Sequence, residues 1–129
     1  MASPISIQKR GRLAVVRFSP EATQLPAEVL LAEMEQAASE ADSPPLFGAV
    51  VDLGQLEYFG SALLEAVLRL WSRLAKRNGQ IVFCNVKPLP REILAIAQFD
   101  TLWPIAADVD AALTLLTDFL DGEKHVASG

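Results

Sequence analysis

Short apolar runs alternate along the chain with longer segments in which apolar residues recur every three or four positions. The short runs are typical of β-strands and lie at residues 4–8, 13–18, 46–53, 80–86 and 102–106. The longer segments are typical of amphipathic helices and lie at residues 26–41, 61–77, 91–99 and 108–120. The chain therefore alternates strand and helix after an opening pair of strands.

Turn and helix-end residues support these boundaries. Gly11 lies between the first two strands, and its tolerance of positive φ predicts a hairpin there. Pro26 suits the first position of a helix, and the sequence DSPP at 42–45 predicts the end of that helix. The pair Asn78 and Gly79 predicts the end of the next helix.

The alternation predicts the α/β class. Parallel strands need connections about as long as a helix, so strands separated by these helices are expected to pair in parallel. The prediction is a mixed sheet of four or five strands with about four helices packed against it. The domain is predicted to span residues 1–120, and the polar residues 121–129 are expected to form a disordered tail. The pattern leaves the order of strands in the sheet open.

Composition and charge narrow the classes of function. With 129 residues, 51% of them hydrophobic, the chain suits one folded domain rather than a disordered segment. A net charge of −5 disfavours duplex nucleic acid as a direct partner, because both carry negative charge. No apolar stretch approaches the roughly 20 residues of a transmembrane helix. The N-terminus lacks the apolar centre of a signal peptide and Cys84 is the only cysteine, so we expect a cytoplasmic protein.

The residue inventory disfavours an enzyme, a metal site and a cofactor. One histidine, His125, and one cysteine, Cys84, are too few for the usual zinc ligand sets or for a nucleophile beside a base. Gly60 and Ser61 do not form a hydrolase nucleophile turn, because Leu63 stands where that turn requires glycine. Cys84 is predicted to be a buried thiol that packs as a small hydrophobe.

The segment from Ala49 to Arg77 resembles the central part of the STAS family, the sulfate-transporter and anti-sigma-factor-antagonist domain. The matching features are an apolar strand ending in Asp52, the apolar residues Tyr58 and Phe59, and a hydroxyl at the start of a long helix. Together with the later strands and helices, the resemblance spans about residues 5–120. It implies a non-catalytic, protein-binding regulatory module of the anti-sigma factor antagonist, or partner-switching, type in bacterial signalling.

The resemblance also points to Ser61. In the antagonist branch, a hydroxyl in an Asp-Ser-[Ser/Thr]-Gly turn is phosphorylated by a partner anti-sigma kinase, and phosphorylation releases that kinase. Ser61 matches the first hydroxyl, whereas Gly60, Ala62 and Leu63 replace the Asp, the second hydroxyl and the Gly. Ser61 is therefore interpreted as a phosphorylation site or as the N-cap of the helix, and the departures lead us to expect that it is not a kinase substrate.

The polar side of the same helix is either a solvated face or part of a partner surface. Glu65, Arg69, Arg73, Lys76 and Arg77 recur there at helical spacing. The residues predicted to bind a partner are Tyr58, Gly60, Ser61, Glu65, Arg69 and Arg73. Reversing the charge of the two arginines in this set is expected to weaken partner binding and to leave stability nearly unchanged.

Two further residues, Trp71 and Asp52, could have either a structural or a functional role. The kind of partner is also open to more than one interpretation. Trp71 is predicted to belong to the core rather than to an interface. Asp52 is predicted to accept backbone N–H groups of the next loop rather than to line a cleft. The partner implied by the resemblance is an anti-sigma-kinase-like protein. The alternative is a phosphorylation-independent adaptor bound to a transporter or sensor subunit, and a homodimer is left open.

Overall fold

The computed structural model describes residues 4–40 and 45–128 and contains one five-stranded sheet in the order β1-β2-β3-β4-β5. The first two strands pair antiparallel, and all later neighbours pair in parallel. This is the mixed sheet that the pattern predicts. The strands are β1 Ile5–Arg10, β2 Leu13–Phe18, β3 Gly48–Asp52, β4 Gln80–Cys84 and β5 Ile105–Ala106.

Four α-helices connect or follow these strands in the described part of the chain, as predicted. Among them, none is long and apolar enough to cross a membrane. Short 3₁₀ helices at Pro20–Gln24 and Phe99–Thr101 accompany them. The α-helices are α1 Ala27–Glu40, α2 Ser61–Ala75, α3 Pro88–Ile96 and α4 Val109–Ser128.

The turn predictions hold where the structure describes them. Gly11 has a φ of 64°, the left-handed conformation that closes the β1–β2 hairpin. Asn78 also adopts positive φ, at 60°, in the turn that follows α2. Except for Pro45, the predicted DSPP stop lies outside the described residues.

The boundaries of α3 and α4 differ most from the predicted ones. Helix α3 begins at Pro88 rather than near residue 91, because the first turn of a helix needs no N–H donors and so accommodates both Pro88 and Pro90. Helix α4 runs to Ser128, where a disordered tail is predicted after residue 120. Buried Leu120 and an Arg12–Asp121 ion pair of 2.7 Å hold that helix to the domain at the predicted stop.

The last strand is also shorter than predicted. Only Ile105 and Ala106 pair with β4, whereas the pattern predicts a strand from residue 102. Trp103 and Pro104 lie before it, and the Pro104 carbonyl accepts a hydrogen bond of 3.0 Å from the Phe83 N–H. An edge strand tolerates such an interruption because one of its sides has no neighbour.

The sheet is covered on both faces. One face packs against α1, α2 and α3, and the other packs against α4. Successive residues of a strand therefore enter different cores. In β3, Ala49 and Val51 belong to the larger core, whereas Val50 between them belongs to the core under α4.

Trp103 is the largest side chain in the larger core. It is 1% exposed and stacks on Phe99 with ring centroids 5.1 Å apart. Its ring also contacts Phe83 at 5.4 Å and meets Trp71 edge-on at 5.9 Å. Trp71 is half-buried against this core, which confirms its predicted place there.

The aromatic cluster leads to a stability prediction. We expect Trp103→Ala to lower the free energy of unfolding by about 3–5 kcal/mol, because it leaves a large cavity. The Trp103 Nε1 group has no hydrogen-bond partner, so Trp103→Phe loses no such bond and is expected to cost less than about 2 kcal/mol. Urea denaturation followed by circular dichroism measures both. Equal losses in the two variants would contradict this description of the cluster.

Candidate functional site

Asp52 organises the edge of the sheet where the parallel strands end. Its Oδ1 accepts hydrogen bonds from the Gly54 N–H at 2.9 Å and from Asn85 Nδ2 at 3.2 Å. Its Oδ2 accepts from Arg17 Nε at 3.2 Å. The carboxylate thus joins the ends of β2, β3 and β4 to the following loop. The predicted interaction of Asp52 with that loop is confirmed.

The loop after β3, residues 53–60, is held on the domain by buried apolar side chains. Leu53, Leu56 and Phe59 are each at most 2% exposed. The Leu53 N–H also donates to the Cys84 carbonyl at 3.1 Å, which ties the loop to the end of β4. Tyr58, beside the last of these anchors, is instead 54% exposed. The loop is therefore a fixed platform that presents an aromatic side chain to solvent.

Helix α2 begins directly after this platform. Gly60 has extended backbone angles and occupies the N-cap position, and the exposed Ser61 is the first residue of the helix. The predicted N-cap role of Ser61 is therefore wrong by one position. Its hydroxyl lies at the positive end of the helix dipole, where the first N–H groups have no partner within the helix.

The departures from the STAS turn have different structural consequences. A Cβ built on Gly60 would meet nothing within 4 Å, so a larger side chain fits there. Leu63 is 2% exposed and belongs to the larger core. The residue in the family's glycine position thus stabilises the domain, while Gly60 and Ser61 remain on the surface.

Ion pairs occupy the exposed side of α2 further along. Arg69 lies 3.8 Å from Glu65 and 4.0 Å from Glu35 of α1. Arg73 donates to Glu35 at 2.8 Å and is only 31% exposed. The Arg73–Glu35 pair joins two helices. Reversing the charge of Arg73 should therefore lower stability, whereas the sequence alone leads to the expectation that stability is nearly unchanged. Arg69 remains the more exposed of the two arginines, at 51%.

The structure places most of the predicted partner-binding residues on one continuous surface. The start of α2 carries three of them, Tyr58, Gly60 and Ser61, which are neighbours in the sequence. Glu65 and Arg69 continue from Ser61 along one face at a spacing of four residues. Arg73 follows on the same side but turns toward α1 through its ion pair with Glu35.

Several contacts that shape this region were not predicted. Lys87, the N-cap residue of α3, pairs with Glu57 at 2.7 Å and so brings the start of α3 beside the platform. Asn85 reaches Asp52 from a left-handed conformation with φ of 54°. Polar residues that directly follow buried strands are the available sequence signal, since the carboxyl ends of parallel strands share one edge.

Cys84 is fully buried beneath this edge, as predicted. Burial, and secondarily the charge of Asp52, raise the pKa of its thiol from 9.0 to about 12. The thiol is therefore protonated at neutral pH, which is the unreactive form. Among the described residues, no three acidic, histidine or cysteine side chains are grouped closely enough to hold a metal ion.

Comparison with known proteins identifies the family. Residues 5–106 match the family described as "Mlab, STAS domain". The chain belongs to the STAS domain family. The match includes all five strands and the first three helices, so the resemblance seen in the sequence is confirmed.

Individual STAS proteins are similar to this chain to different degrees. It is 40% identical over 63 residues to the putative anti-sigma factor antagonist BtrV of Bordetella bronchiseptica, a match that covers 49% of this chain and 54% of that protein. The chain thus spans about half the length of this relative. The solved anti-sigma-factor antagonist (STAS) domain protein from Planctomyces limnophilus is 25% identical, with a TM-score of 0.72 over 88% of this chain and 97% of that one.

A third protein shares the fold at lower identity. The Bacillus cell fate determinant SpoIIAA, solved in its phosphorylated form, has a TM-score of 0.60 and 16% identity. The match covers 86% of this chain and 98% of SpoIIAA. At this identity, the similarity establishes the common fold.

The network around Asp52 leads to a second stability prediction. We expect Asp52→Ala to lower the free energy of unfolding by about 1–3 kcal/mol, because three donors lose their acceptor in a site where the carboxylate is 13% exposed. Glu57→Ala is the matched control, since its carboxylate is 84% exposed and should contribute at most about 0.5 kcal/mol. Urea denaturation measures the difference. Equal effects would show that Asp52 does not organise this edge.

Proposed function

We propose that this STAS domain is a non-catalytic, protein-binding regulatory module of the anti-sigma factor antagonist type. The observation that carries this proposal is the surface at the start of α2. There Tyr58 and Ser61 are exposed, while Phe59 between them is buried and fixes the loop. We call the residues Tyr58, Gly60, Ser61 and Glu65 the α2-start surface.

The α2-start surface has the physical properties of a binding site. Its backbone is anchored by the Asp52 network and by buried leucines, so little conformational entropy is lost when a partner binds. Tyr58 offers a large amphipathic side chain of the kind enriched in binding hot spots. Leu89, 50% exposed in the first turn of α3, adds apolar area near the Lys87–Glu57 pair.

A negative charge at Ser61 would change binding rather than folding. At the first position of a helix, a negative group is stabilised by about 0.3–1 kcal/mol. Ser61 is exposed, so a phosphate or carboxylate at this position would extend into solvent. Any loss of partner binding would therefore arise from the new charge within the contact surface.

A phosphorylation-independent adaptor is the second candidate function. The observation that favours it is the altered turn, in which a core leucine occupies the glycine position and Ala62 lacks the second hydroxyl. The two candidates use the same α2-start surface and differ in the partner that binds it. For either candidate, we expect Ser61 itself to remain unphosphorylated.

Several features support the absence of catalysis in this proposal. Ser61 begins α2, whereas His125 belongs to α4, which packs on the opposite face of the sheet. The chain's one histidine thus belongs to a helix on the other face, which supports a non-catalytic role for Ser61. The buried Cys84 thiol is held in its protonated form.

Substitution at Ser61 tests the proposed surface. We expect Ser61→Asp to weaken capture of the native partner at least tenfold, because it places a charge in the contact area, and Ser61→Ala to change capture less than threefold. Both variants should keep the melting temperature within a few degrees. Ala111→Asp is the matched control, since it adds the same charge to the first turns of α4 on the other face.

The partner captured by the unchanged protein separates the two candidates. A histidine-kinase-like ATPase supports the antagonist type, and a transporter ATPase supports the adaptor. Mass spectrometry after incubation with the captured partner and ATP measures directly whether Ser61 is phosphorylated. Equal capture by Ser61→Asp and the unchanged protein would place the partner surface elsewhere, and stoichiometric phosphate on Ser61 would contradict the expected unphosphorylated state.

A further inference from the structure

An open groove between α1 and α2 begins at Arg69, one helical turn after Glu65 of the α2-start surface. Its volume is about 600 Å³, and cationic side chains of α2 and of the two residues after it form most of the described lining. Lys76 is among the most exposed of these, and Arg69 is 51% exposed. We call this the basic groove. Its lining residues are Glu35, Arg69, Ser72, Arg73, Lys76 and Arg77.

The charge of the groove opposes that of the whole chain. Among the residues that the structure describes, four cationic side chains and one carboxylate line it, whereas the chain has a net charge of −5. Four of the chain's 11 basic residues are therefore concentrated between Arg69 and Arg77, in the second half of α2 and just after it. Such a local reversal of sign attracts an anionic group to this face and repels it from the rest of the surface.

The spacing of the cations suits an extended acidic segment better than a single small anion. From Arg69 to Arg77 the chain advances by roughly 12 Å at the rise of a helix. An extended peptide covers that length with about four residues. A segment with several carboxylates can therefore pair with successive cations along the groove.

The carboxylate of Glu35 already pairs with two of the arginines that line the basic groove. Its carboxylate lies 2.8 Å from Arg73 and 4.0 Å from Arg69, with Glu35 at 44% exposure. It orients the two guanidinium groups toward the groove and also competes for them. An incoming carboxylate would interact with the same pair of arginines, so the charge of Glu35 should limit its affinity.

We propose that the basic groove binds an acidic segment of a partner protein. The proposal rests on the groove and not on the function assigned to Ser61, which precedes the nearest groove residue, Arg69, by roughly 12 Å along α2. A partner that contacts both places would be held at two points. A charge added at Ser61 would then weaken the contact at the α2-start surface and leave the contact at the basic groove intact.

Fluorescence anisotropy with a labelled eight-residue peptide of alternating Glu and Ser tests the groove. The peptide is expected to bind the full chain at low salt, and a peptide with Gln in place of Glu is expected to bind at least tenfold more weakly. Arg69→Glu combined with Lys76→Glu should raise the Kd at least tenfold. Glu35→Gln should lower it about threefold, because it removes the competing carboxylate.

Two control variants make the result specific. Arg91→Glu reverses an exposed charge on α3 and should change the Kd less than twofold. Ser61→Asp should also change it less than twofold, so failure here and failure of the proposed function are distinguishable. Lys76→Gln should weaken binding measurably without adding negative charge, and circular dichroism checks that each variant is folded. No binding, equal binding of both peptides, or a Kd unaffected by the groove variants would overturn the proposal.

Discussion

The burial of β3 on both faces determines where this domain can present polar chemistry. Residues Ala49, Val50 and Val51 are at most 1% exposed, with helices covering each face of the sheet. No charged side chain can be accommodated along such a strand without a large desolvation cost. Asp52, the first position that reaches the edge, therefore carries the carboxylate, and the surrounding loops assemble around it.

The rigid start of α2 follows from that arrangement. The carboxylate fixes the backbone at Gly54, and the buried Leu56 and Phe59 hold the remainder of the loop. Exposed Tyr58 and Ser61 are thus displayed by a well-packed base rather than by a loose loop. A regulatory charge placed here would act on a partner's surface while the domain keeps its fold, which suits the antagonist-type function proposed for this STAS protein.

The pattern of apolar, polar and turn residues predicts those features that depend on residues close together in the sequence. Gly11 permits the hairpin turn, and the apolar face of α2 specifies that helix, so both were predicted closely. The extension of α4 past residue 120 includes the long-range contact between Asp121 and Arg12, which periodicity does not reveal. The strand order likewise depends on packing between distant segments.

The same distinction applies to the site. The role of Asp52 could be predicted because its loop follows it directly, and the resemblance to the STAS turn identified Ser61. The contact between Arg73 and Glu35 could not be predicted from the sequence. The two residues are distant along the chain and meet only when α1 packs on α2. The N-cap position was misplaced by one residue because helix ends depend on backbone geometry as well as on residue type.

Amide chemical-shift mapping of the ¹⁵N-labelled chain, titrated with its captured partner, shows whether that partner binds the α2-start surface. The largest shifts are expected at Tyr58, Ser61 and Glu65. The competing surface is on α4, where Leu115 and Phe119 are 43% and 40% exposed. Shifts concentrated at those two residues, with Tyr58 and Ser61 unchanged, would contradict the account.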